Sequence, residues 1–150
     1  MEIIKLLIKE HEQIEQELDE LEEVIDEMIK EGVINFPNLI HSLKRIKELW
    51  DKHEAKEEQV FPIFRKERIV ISVRTILFEH GELRKLFDKI MKAITLSDHL
   101  KITLKKEGKA IINKLREHKR KEEEMLLTIS KEELTSSEIV ELERLAKELY

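Results

Sequence analysis

Residues 36–64, FPNLIHSLKRIKELWDKHEAKEEQVFPIF, decide the fold. Phe36, Leu39, Leu43, Ile46, Trp50, Val60 and Phe64 recur at steps of about three and four, and His53 and Glu57 stand in the same register. A period of about 3.5 residues is the seam of a helix packed against other helices. The pattern continues outward in both directions. Before it run Ile4, Leu7, His11, Ile14, Leu18, Leu21, Ile25 and Met28. After it run Val73, Ile76, His80, Leu83, Phe87, Ile90 and Ile94, then Leu104, Gly108, Ile111, Leu115, His118, Glu122, Met125 and Ile129. Each seam carries one histidine, and the second and fourth add a glutamate four residues later.

Breakers divide the four segments. Gly32 ends a first helix of about residues 2–31. Asn35 caps a second helix, with Pro37 in its first turn, that runs to about Arg68. Pro62 should kink this helix just beyond Glu57. A third helix covers about 71–95, and Ser97-Asp98 caps a fourth over about 98–129. Thr135-Ser136-Ser137 with Glu138 opens a last helix to Tyr150. Short connections make neighbours antiparallel. The expectation is all-α: an up-down-up-down four-helix bundle with a short extra C-terminal helix. Residues 1–150 would form a single domain, with 1–130 as the bundle and 131–150 as the added helix. No internal repeat or linker is evident.

Composition agrees with helices and excludes much else. Of 150 residues, 41% are charged and 41% hydrophobic, and the three glycines and two prolines are too few for folds with frequent turns. A net charge of −5 without a basic face argues against nucleic acid as a partner. The absence of cysteine excludes disulfides, thiolate zinc sites and iron–sulfur clusters. No apolar run reaches the ~18 residues of a membrane span, and the N-terminus carries no signal peptide, so a cytoplasmic location without membrane contact is expected.

The seam residues that are not apolar fall at one depth. At about 1.5 Å per residue, His11 and His80 lie about 13 Å from one end of the bundle, and His53 and His118 roughly 16–22 Å from that same end. Glu57 and Glu122 sit one turn closer to that end on their own helices. Four imidazoles and two carboxylates therefore converge inside the core. Left unpaired they would each cost several kcal/mol, on the order of what a buried ion demands. A buried network of His–Glu hydrogen bonds is one resolution. The other is metal, because neutral imidazole and carboxylate are the donors that iron, manganese and zinc accept, and each glutamate can bridge two ions.

The segments Ile8-Lys9-Glu10-His11, His53-Glu54-Ala55-Lys56-Glu57-Glu58-Gln59-Val60-Phe61-Pro62, Phe78-Glu79-His80 and Glu117-His118-Lys119-Arg120-Lys121-Glu122 resemble the hemerythrin family, the His-His-Glu cation-binding bundles, over about residues 2–130. The resemblance implies His11, His53, Glu57, His80, His118 and Glu122 as metal ligands. It implies two iron ions with both glutamates bridging and an oxo or hydroxo group between them, with zinc or manganese as substitutes. It also has a departure. Oxygen carriers of the family place another histidine four residues after the third-helix one, where this chain has Arg84. Their last carboxylate falls five residues after its histidine, a place taken here by Glu123. Four histidines and two carboxylates look more like the bacterial di-iron proteins linked to nitric oxide handling and iron–sulfur cluster repair. A ferritin-like site needs Glu-x-x-His, and no acidic residue stands three before any of the six histidines.

The function expected from this is binding of O₂, NO or peroxide at an open iron position. The alternatives are reduction of NO or peroxide or donation of iron to damaged clusters, and a zinc-stabilised structural module. His41 and His99 fall off the seams and read as surface residues. Trp50 reads as core, close enough to wall a metal pocket. Glu10, Glu79 and Glu117 read as outward-facing, with one of them available to orient an imidazole on a neighbouring helix. The basic tract from Lys105 to Lys121 reads as a solvated face. Arg84 either snorkels to the surface or pairs with a carboxylate such as Glu54. Tyr150, the sole tyrosine, sits at the C-terminus, which argues against a tyrosyl-radical role.

Overall fold

The computed structural model describes residues 1–33, 35–96 and 104–150. Its first helix, α1 (Glu2–Glu31), ends where expected. Gly32 takes φ 70°, a left-handed conformation open to a residue without Cβ, and donates its N–H to Met28 O at 2.9 Å. Asn35 caps α2 (Phe36–Val60), its side chain accepting from the Asn38 N–H at 3.3 Å, with Pro37 in the first turn.

The expected end of α2 near Arg68 is corrected by the structure. Pro62 has no N–H for the Glu58 carbonyl and its ring crowds that oxygen, so the helix stops instead of kinking. The chain tightens into a 3₁₀ turn at Phe61–Ile63, Phe64 turns extended, and α3 (Glu67–Leu96) starts four residues ahead of the expected 71. The Ser97-Asp98 junction and His99 lie outside the described residues. A π-helical turn at Leu104–Gly108 leads into α4 (Lys109–Ser130). Before α5 (Ser136–Leu149), Thr135 Oγ1 accepts from Glu138 N–H at 3.2 Å and Glu138 Oε1 accepts from Thr135 N–H at 3.0 Å, the capping box that the sequence predicts.

Ion pairs fix the helix directions. Between α1 and α4, Glu15 meets Lys119, Asp19 meets Arg116, and Asp26 meets Lys109. Between α1 and α2, Glu10 meets Lys56 while Glu17 meets Arg45. Between α3 and α4, Glu79 meets Lys121, and Lys89 meets Glu107 in the π-helical turn that leads into α4. Numbers rise on one helix as they fall on its neighbour, so each of these pairs is antiparallel. The basic tract of α4 is therefore more than a solvated face. Arg116 alone bridges Glu15, Asp19 and Glu22 of α1.

The core is two apolar clusters. One gathers Ile14, Leu18, Leu43, Ile46, Trp50, Leu83, Phe87 and Leu115. The other gathers Ile4, Leu7, Val60, Phe64, Val73, Ile76 and Met125, and takes in Leu142 and Leu145 from α5, which packs on α1 and α2. The layer of His11, His53, His80 and His118 separates the clusters along each of α1 to α4. Among the described seam residues Phe36, in the first turn of α2, is the exposed one at 37%, and Ile94 is only partly buried. Burying a Leu, Ile or Phe side chain is worth about 1.5–3 kcal/mol, so the two clusters outweigh what the polar layer between them costs.

An internal repeat is present after all. Glu10-His11 on α1 recurs as Glu79-His80 on α3, 69 positions on, and the His-x-x-Lys-Glu-Glu of residues 53–58 on α2 recurs at 118–123 on α4, 65 positions on. Core residues follow the same shifts: Leu18 matches Phe87, and Val60 matches Met125. Scattered identities separated by unequal shifts escape a search for a single period. Among the described residues no helix is long and apolar enough to cross a membrane.

Candidate metal centre

All six residues expected at the site are at most 2% exposed and lie in the one layer. They fall into two overlapping groups. His11, His53, Glu57 and Glu122 offer ligand atoms within 4.8 Å of one another, and His80, His118 and Glu122 do the same. Glu122 spans both. Its Oε1 lies 2.9 Å from His11 Nε2 and 3.3 Å from His53 Nε2, and its Oε2 lies 3.0 Å from His118 Nε2 and 3.8 Å from His80 Nε2. Glu57 Oε1 lies 2.7 Å from His53 Nε2 and 3.8 Å from His80 Nε2.

The outer ring nitrogens explain how the imidazoles are aimed. His53 Nδ1 donates to Glu10 Oε1 at 2.9 Å, His118 Nδ1 to Glu79 Oε2 at 2.8 Å, and His11 Nδ1 to Glu123 Oε1 at 3.1 Å. An ionised carboxylate only accepts, so each Nδ1 carries a hydrogen and each Nε2 is turned inward toward Glu57 and Glu122. The outward reading is thus overturned for Glu10 and Glu79, each of which orients the histidine of a neighbouring helix. It holds for Glu117, which pairs with Arg120 at the surface. The role of Glu123 was not read from the sequence; the duplicated Lys-Glu-Glu is the signal that carries it. Glu10 and Glu79 are in turn held by Lys56 and Lys121, the matching lysines of the repeat.

His80 is the exception. Both its ring nitrogens are buried, and among the described residues neither has a hydrogen-bond partner. Glu58, the repeat equivalent of Glu123, is engaged by Arg84 Nη2 at 2.8 Å, while Arg84 Nε donates to Glu54 Oε2 at 3.0 Å. The pairing of Arg84 with Glu54 is as expected. Glu54 is buried and also accepts from Trp50 Nε1 at 2.6 Å. The Trp50 ring stands 5.4 Å from His118, 6.0 Å from His53 and 6.2 Å from His80, centroid to centroid, so it walls the layer as well as filling the core. Tyr150, discounted for its position, sends its hydroxyl to Glu10 Oε1 at 3.0 Å. His41 is exposed.

The electrostatics are those of an anionic cage. Burial alone would push His53 down, but Glu57, Glu10 and Glu122 around it raise it well above the usual imidazole range. Burial raises Glu57, and the charge of Glu122 adds to it. Burial also opposes charge on Glu122, yet Glu57, His11, His118 and His53 hold it well below the usual carboxylate range. Glu10 is only partly buried, and its bonds to His53, Lys56 and Tyr150 overcome desolvation and bring it down to about 2.

Imidazole nitrogens and carboxylate oxygens turned inward, held by carboxylates behind them, are the donor set and support of a metal site. An orphaned buried His80 fits the same chemistry. A family model described as Hemerythrin HHE cation binding domain matches residues 2–129. No curated protein and no solved structure matches the chain.

Proposed function

The chain belongs to the hemerythrin HHE cation-binding family, and we propose that it holds two iron ions between the four helices and binds a small ligand such as O₂, NO or peroxide there. The ligands would be His11 and His53 toward one ion, His80 and His118 toward the other, and Glu57 and Glu122 toward both. One observation carries the reading. Three histidines have their Nδ1 fixed by Glu10, Glu79 and Glu123, so that their Nε2 atoms meet around Glu122 inside the core. In the metal-free chain His–Glu hydrogen bonds around Glu122 use the same atoms, and a divalent cation would take their place.

Iron in this position would supply a redox-active metal with a coordination place left for a small ligand. The chain's own residues do the rest. Leu7, Ile76, Leu83 and Trp50 above and below the layer exclude bulk water. A cleft lined by Glu79, Leu83, Lys114 and Lys121 opens over His118, giving a small molecule a path to that side. Residues 1–150 acting as a single domain is part of the same proposal.

The test is metal analysis with an absorption spectrum of chain loaded anaerobically with iron(II), then exposed to air or NO. About two irons per chain, near-ultraviolet and visible bands after oxidation, and a distinct spectrum with NO are expected. A protein that retains zinc, takes up no iron and stays colourless would be a metal-stabilised structural module instead. Turnover of NO or peroxide by the iron form would make it a reductase and not a binding protein.

A further inference from the structure

We propose that Arg84 makes the two metal positions unequal: by holding Glu58 it leaves His80 without a carboxylate behind it, and so keeps the His80–His118 position weak and exchangeable. The inference rests on the metal reading above. It comes from the repeat. On the α1–α2 side, both histidines have their Nδ1 locked, His11 by Glu123 and His53 by Glu10. On the α3–α4 side, His118 is locked by Glu79, but His80 is locked by none of the described residues.

The missing partner is close. Carboxylate oxygens of Glu54 and Glu58 and a ring nitrogen of His80 all lie within 4.8 Å of one another. Glu58 matches Glu123 in the repeat, so its place behind His80 is the place that Glu123 occupies behind His11. Arg84 draws it away. The repeat also shows where this device came into the chain. Arg84 matches Glu15, and Glu54 matches Lys119; the Glu15–Lys119 pair at 2.9 Å is the Arg84–Glu54 pair at 3.0 Å with its charges exchanged. In the α1–α4 version the cation sits on the helix of the carboxylate lock and Glu123 stays free for His11. In the α2–α3 version the cation sits on the histidine's own helix, one turn on, and its fork has a second nitrogen to take Glu58 as well. Arg84 is a positioning residue that acts through Glu58.

A histidine that loses the carboxylate behind it binds metal about 10–100-fold less tightly, so the effect is measurable. Chelator-stripped protein is titrated with cobalt(II), followed by its visible spectrum and by calorimetry. The natural chain should bind in two steps, the second weaker by about tenfold or more. In Arg84→Met the second step should tighten by about tenfold, with the first unchanged. Because that variant leaves the buried Glu54 without its cation, Arg84→Lys is run beside it; lysine has a single nitrogen, keeps Glu54 compensated and releases Glu58. Adding Glu58→Gln to either variant should cancel the gain, whereas Glu58→Gln alone should change nothing. Glu123→Gln should weaken the first step and bring the two together. Two cobalt ions bound with no change in either Arg84 variant, or a gain that survives Glu58→Gln, overturns this role for Arg84 and leaves the metal reading standing. Binding of fewer than two cobalt ions by the natural chain overturns the metal reading itself.

Discussion

The Nε2 atoms of His11 and His53 face each other at 2.8 Å, while Glu123 and Glu10 hold the opposite nitrogen of each ring. Two imidazoles so oriented present lone pairs to each other, and something positive has to lie between them. In the metal-free chain a proton fits that place, and Glu57, Glu10 and Glu122 around His53 raise its affinity for one. In the loaded chain it would be a metal ion. Proton and metal therefore compete for the same place.

That competition gives a stability prediction with a sign. His53 is raised in the folded chain, so the stability it contributes is fully present below its unfolded value of 6.5 and is lost as pH rises through the folded value. Glu57 is raised as well, and its contribution, present below 4.5, is likewise lost on the way up. The metal-free protein should melt lower at pH 8.5 than at pH 6, and the metal-loaded protein should not, because metal binds the deprotonated groups. A gap of about 10 °C or more at the higher pH, narrowing toward the lower, is expected in paired melts with and without chelator. Parallel curves would show that no metal shares the site with that proton.

Neutralising the outer carboxylates should separate them by role. Glu10→Gln and Glu79→Gln remove charges that orient His53 and His118, and each should lower metal affinity by about 10–100-fold. Glu117→Gln changes a residue of the same type next to His118 that points to solvent, and should leave affinity alone. Competition with a coloured chelator measures all three. Equal losses for Glu117 and Glu79 would mean that general surface charge, and not orientation of the rings, sets the affinity.

Trp50 is the only tryptophan and stands against three of the four histidines. Its fluorescence should be strongly quenched when iron or cobalt is added to the stripped protein. Zinc, which has no accessible redox or d–d states, should shift the emission with little quenching. Unchanged emission with cobalt would place the metal away from this layer.

Two residues that share a seam in the sequence should differ sharply in energetic weight. Leu39 is fully buried and Phe36 is 37% exposed. Leu39→Ala should cost about 2–5 kcal/mol by denaturant unfolding of the metal-loaded chain. Phe36→Ala should stay within about 1 kcal/mol, as surface substitutions do. Comparable losses at the two positions would restore Phe36 to the core.

By itself the sequence determined the helices, the seams and the six polar residues within them. These rest on periodicity and on cap chemistry, both of which are local: Gly32, Asn35 and the Thr135–Glu138 box act on residues within one turn of themselves. It misjudged Pro62 because whether a proline bends a helix or ends it depends on what the following residues can pack against; here Phe61 and Phe64 both leave α2 for the cluster of Ile4, Leu7 and Val73. Only the tertiary structure decided what stands behind each imidazole. Glu10, Glu79 and Glu123 reach histidines 43, 39 and 112 positions away in the chain, and no local rule tells an outward glutamate from one that crosses to a neighbouring helix. The fate of Glu58 was settled in the same way. It is equidistant in type from its twin Glu123, and the difference between them is the guanidinium that α3 brings to within 2.8 Å.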